Sequence, residues 1–185
     1  MSSIASDRIN RRACLPGVLG TPMLVLALAG CQFSASADGG LDYEKLEGAI
    51  TSELNQQYAQ ISRQVSGVKC PRQATAPKTG DTFTCTAGVD GQTVRVEVIV
   101  RDDDYNVHFS TLDTAFDLER TGQSLGPQLS EQYGFPVTVT CGAGLKVVAI
   151  GDSFEGAAED ADGNTRTVRL TAGTADENDH WEVVD

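Results

Sequence analysis

Histidine, aromatic side chains and long apolar runs are all scarce in this 185-residue chain, and each scarcity narrows what it does. Beyond residue 30 no apolar stretch approaches the roughly 20 residues of a membrane-spanning helix. There are only two histidines, His108 and His180, which leaves little for general acid–base work or an imidazole metal site at neutral pH. No Gly-x-Ser-x-Gly, His-Glu-x-x-His or phosphate-cradling glycine loop occurs. Basic residues are outnumbered, 14 Lys and Arg against 26 Asp and Glu. A surface so acidic repels nucleic acid and anionic headgroups. The sequence therefore predicts no enzyme activity, no cofactor, no metal and no nucleic-acid partner.

The first thirty residues are of another kind. Arg8, Arg11 and Arg12 precede an apolar stretch from Leu15 to Gly30, which Pro16, Gly17, Gly20 and Pro22 interrupt. That pattern is too short and broken to span a bilayer and fits an export signal. It ends in Leu28-Ala29-Gly30-Cys31, which resembles the lipobox of bacterial lipoproteins. The resemblance implies cleavage before Cys31 and lipid on its thiol. The membrane is then a partner through that lipid, with the protein on the extracytoplasmic face. Residues 1–30 read as signal peptide and residues 31–40 as a lipidated, flexible tether. Removing three arginines and one aspartate with the signal leaves 155 residues carrying 11 basic and 25 acidic groups, net −14.

The remainder divides into two halves, 41–113 and 114–185, that echo each other in order. Leu54-Asn55-Gln56-Gln57-Tyr58 matches Leu129-Ser130-Glu131-Gln132-Tyr133, and Val68-Lys69-Cys70 matches Val139-Thr140-Cys141. Gly80-Asp81-Thr82-Phe83 matches Gly151-Asp152-Ser153-Phe154, and Asp90-Gly91-Gln92-Thr93 matches Asp162-Gly163-Asn164-Thr165. Asn106-Val107-His108-Phe109 matches Asn178-Asp179-His180-Trp181. Each half opens on a helical spacing: Tyr43, Leu46, Ile50, Leu54 and Tyr58, then Leu118, Leu125, Leu129 and Tyr133. Gly122, Gly126 and Pro127 weaken the second helix, and Pro127 is expected to kink or restart it. Short strands follow. In Thr93–Arg101, Val94, Val96, Val98 and Val100 alternate with polar residues, so one face is buried. Asp90-Gly91 and Asp162-Gly163 read as type I′ hairpin turns, with His108 and His180 facing solvent. The expected class is α+β: two tandem repeats, each a helix followed by a three- to four-stranded antiparallel meander.

The repeat orders the cysteines. Cys14 leaves with the signal and Cys31 carries lipid. Cys70 and Cys85 form a disulfide inside the first copy. In the second, Cys141 matches Cys70 while Gly156 stands where Cys85 would be. Cys141 is therefore a candidate free thiol, either a small buried apolar residue or a group that pairs or reacts. Asp160-Ala161-Asp162-Gly163-Asn164 has part of a calcium-loop rhythm but lacks the closing bidentate glutamate.

Cys70-Pro71, a lysine-containing loop to Gly80, Phe83-Thr84-Cys85 and Asp90-Gly91 together resemble domain of unknown function 4333, a domain of actinobacterial, mycobacterial-type envelope lipoproteins. The resemblance covers residues 41–112, with 116–185 as a degenerate copy. It implies an anchored compact module around paired cysteines and implies no activity. The expected function is non-catalytic: a tethered binding or interaction module whose partner is an envelope protein, glycan or lipid. A carrier of an apolar or lipid ligand and a secreted-type enzyme inhibitor are the alternatives.

Overall fold

The computed structural model describes residues 31–37, 40–173 and 178–184. The expected signal peptide and Cys14 lie outside the described residues.

In the first half, β1 (Cys31–Ser34) is followed by β2 (Ser36–Ala37) and β3 (Gly40–Leu41), a two-residue ribbon. Helix α1 (Tyr43–Tyr58) then begins on Asp42, whose carboxylate accepts the Lys45 N–H at 3.0 Å. Leu46, Ile50, Leu54 and Tyr58, each one turn apart, are its buried residues. A 3₁₀ turn over Ala59–Ile61 ends at Ser62 in the left-handed region, and the chain folds back as β4 (Val65–Lys69). Asn55 on α1 secures that return by accepting the Val65 N–H at 2.8 Å. β5 (Thr82–Val89), β6 (Gln92–Val100) and β7 (Asn106–Thr111) complete an antiparallel sheet in the order β1-β7-β6-β5-β4. The four valines of β6 all point into the core. Asp90 and Gly91 both have positive φ, 46° and 76°, as the type I′ turn between β5 and β6 requires.

One expectation fails at the start of this half. Residues 31–35 are not a free tether: β1 pairs with β7 from its first residue, Cys31 opposite Phe109, and Ala35 is fully buried. Gln32-Phe33-Ser34 has the polar–apolar–polar alternation of an edge strand, and Phe33 packs on the first core.

The second half opens with β8 (Asp113–Asp117), then α2 (Leu118–Tyr133), β9 (Val137–Thr140), β10 (Leu145–Ala149), β11 (Ser153–Asp160), β12 (Thr165–Thr171) and β13 (His180–Val184). Its main sheet is antiparallel in the order β13-β12-β11-β9, while β8 and β10 form a separate ribbon. Among the described residues the fold is thus mixed, with two α-helices and antiparallel sheets. α2 runs through Pro127 as one helix, so it does not restart there. Its glycines explain the fit. A Cβ on Gly122 would lie 2.5 Å from the Val139 carbonyl oxygen, and one on Gly126 would lie 3.2 Å from that of Val137. What reads as helix weakness in the sequence is the contact that lets the α2 backbone settle onto β9. Tyr133, expected on the buried face, is 44% exposed. Asp162-Gly163 is not a type I′ turn either: only Gly163 has positive φ, and Asp160 organises the loop by accepting the N–H groups of Asp162 and Asn164.

Among the described residues, buried side chains form two clusters, one on each of the two larger sheets. Leu145 of β10 belongs to the first although it lies in the second half of the chain. Gln92 makes the junction: its side-chain amide donates to the Leu145 carbonyl and accepts the Val147 N–H at 2.9 Å, copying a strand's hydrogen bonding. Beside it, Arg95 donates to buried Asp113 from backbone and guanidinium.

Candidate functional site

Cys70 and Cys85 are joined, with Cα atoms 4.2 Å apart at the point where β4 and β5 diverge. The chain leaving Cys70 is strapped to α1. Glu47 accepts the Cys70 N–H at 2.8 Å and an Arg72 N–H at 2.7 Å. Arg72 lies 4.5 Å over the Tyr43 ring, and the Tyr43 hydroxyl accepts the Gln73 N–H at 3.1 Å. Burial alone would raise the Glu47 carboxyl, but the bonds from Arg72 and from the Cys70 amide outweigh it and hold it below its ordinary value. From Pro71 to Ala76 the loop is exposed.

Cys141 is free and half-buried, and burial pushes its thiol up, away from the thiolate that nucleophilic chemistry requires. Its sulfur sits against Gly156, where an added Cβ would lie 2.9 Å from Sγ. Cys31 supplies the first backbone rung of β1; its side chain lies outside the described residues.

The two histidines are far from equivalent. His180 is exposed on β13. His108, expected to face solvent, is half-buried between Gln32 of β1 and Ile99 of β6, with Nδ1 buried and without a hydrogen-bond partner. The calcium-like rhythm at Asp160 is spent on turn structure: Oδ1 accepts two backbone N–H groups and Oδ2 accepts the Asn164 amide. These bonds, that from the Asn164 side chain first, lower the Asp160 carboxyl. Asp102 does the same with Asp104 and Asn106 between β6 and β7. Among the described residues no group of three or more His, Cys, Asp or Glu side chains is arranged to hold a metal ion.

Residues 26–104 match the family model described as domain of unknown function, DUF4333. The DUF4333 match takes in Cys31, α1, both disulfide cysteines and the β5–β6 hairpin, and it ends before β7. It does not extend to α2 or the second sheet. No curated protein and no solved structure matches the chain.

Sequence reasoning missed the two helix caps and the junction. Asp42 and Asp117 each stand immediately before a helix and are followed two residues later by an acidic residue, Glu44 and Glu119. Aspartate before an apolar helical pattern is a readable start signal. Gln92 and Arg95 carried no signal, because their partners lie 53 and 18 residues away.

Proposed function

We propose that this chain is a lipid-anchored, non-catalytic interaction module on the outer face of the cell membrane, built from two copies of one helix-plus-sheet unit. The anchor reading rests on Leu28-Ala29-Gly30-Cys31 behind a basic, apolar leader. The two-copy reading is supported by the rungs. Lys69 opposes Thr86 just before Cys70 and Cys85; Thr140 opposes Ala157 just before Cys141 and Gly156. Phe109 opposes Val98 as Trp181 opposes Leu170.

The interaction reading is carried by how the reactive groups are employed. Glu47, Asp102, Asp113 and Asp160 each hold backbone or a guanidinium in place, and the Cys141 thiol is held toward its protonated form. Such side chains build a scaffold. A carrier is disfavoured, because Leu46, Ile50 and Leu54 of α1 are buried in the first core. Two experiments test the proposal. A fatty-acid probe should label the wild type and not Cys31→Ala; an unlabelled wild type refutes the anchor. Cross-linking on intact envelopes should enrich a partner over the Cys31→Ala control, and equal recovery refutes the interaction module.

A further inference from the structure

β7 and β13 hold the same place in their sheets, but their outer edges differ. Along β7 lies β1, and beneath it Val107 is fully buried and Phe109 is 6% exposed. Among the described residues no strand lies along the outer edge of β13. There Trp181, Val183 and Val184 are only half-buried, and His180 and Glu182 are exposed. Trp181 and Val183 pack on the rim of the second core, without a counterpart to the Phe33 that β1 brings to the first.

We infer that the outer edge of β13 accepts an extended segment of a partner protein, apolar toward the core and basic on the opposite face. An open edge presents unpaired backbone donors and acceptors, which give affinity, while alternate side chains give selectivity. The core-facing residues of the incoming strand meet Trp181 and Val183, as β1 sets Phe33 opposite Val107. The outward residues meet Glu182, which shares Arg169 with Glu155 at 3.3 Å on each side, so the face remains acidic. A second copy is a poor occupant. Antiparallel self-pairing centred on Glu182 opposes like charges, each copy carries a large negative charge, and its β1 is engaged on its own β7. A basic segment from another protein meets both conditions.

This inference rests on the interaction-module reading and gives it an address. The test uses the full lipidated chain in neutral detergent and two synthetic peptides of about one strand length, one alternating valine with lysine, the other valine with glutamate. The lysine peptide should blue-shift the emission of Trp181, the chain's single tryptophan, and slow amide exchange over His180–Val184. Glu182→Lys should weaken the lysine peptide about fivefold and favour the glutamate peptide, the size of a cross-strand charge pair. Equal affinity for the two peptides, no binding, or protection away from β13 overturns the edge. Envelope cross-links that map elsewhere on the chain also overturn it, while leaving the interaction module standing.

Discussion

Gly156→Cys should close a second disulfide with Cys141. The rung before each position is matched, and the added Cβ lies 2.9 Å from the Cys141 sulfur, close to the roughly 3 Å that separates Cβ from the far sulfur of a disulfide. Gly156 does not have positive φ, so the backbone accepts a side chain. The closed loop spans 15 residues, as does Cys70–Cys85, and loop entropy then predicts a gain of about 3 kcal/mol. The Thr140 carbonyl oxygen, 3.0 Å from the new Cβ, must yield a few tenths of an ångström and takes back part of that gain. For a chain of this size the remainder raises Tm by roughly 5–10 °C. The assay is a thermal melt in oxidant and in reductant, in a Cys31→Ser background without residues 1–30, with thiol counting in denaturant. The oxidised variant should show no free thiol where the parent shows one. Reduced, it should melt below the parent, because a crowded side chain remains without its bond. Two free thiols after oxidation, or a disulfide without any rise in Tm, would refute the equivalence of the two cysteine positions.

Three further outcomes follow from particular contacts. Gly122→Ala should destabilise by about 1–3 kcal/mol because the methyl group meets the Val139 carbonyl, whereas Gly48→Ala, with open space around it on α1, should stabilise by about 0.5–1 kcal/mol; urea melts that move both midpoints the same way would contradict the packing. Tyr58 is pushed up to about 12, first by burial and then by the Asp113 charge, so the folded protein holds its proton where the unfolded chain releases it at about 10. Stability should therefore fall as pH rises from about 10 to 12, by up to roughly 3 kcal/mol; Tyr58→Phe should flatten that slope in denaturant titrations. The Cys141 thiol, raised by burial, should react with a thiol reagent near pH 8 several-fold more slowly in the folded protein than in urea, and equal rates would show that it is not shielded.

The elements governed by periodicity were legible. The α1 stripe and the β6 valines are local patterns, and the structure buries the residues those patterns select. So was the Cys70–Cys85 pair, which the match between the two sequence halves singles out. The failures of strand pairing and helix packing share a physical cause: each depends on a partner distant in sequence. Gln32-Phe33-Ser34 is too short and polar to announce a strand and becomes one because β7 offers an edge. The β8–β10 ribbon joins segments about thirty residues apart across a helix. Glycines in α2 look like defects until β9 is laid against them. Of the candidate sites, the disulfide was visible in advance, while the open edge of β13 depends on which strand is outermost, and that is a property of topology.

The position of Leu145 bears on how the protein comes apart. Its side chain completes a core whose other buried members come from residues 35–109, and Gln92 grips the strand that carries it. Separating the halves near residue 113 would strip the first core of Leu145 and of the Ala115 and Val147 packed against it, and leave the Gln92 amide without its partners. The halves should therefore melt in a single concerted transition, and neither should serve as an interchangeable part. Apolar side chains carried across the seam, Leu145 with Ala115 and Val147, make the two halves one thermodynamic body.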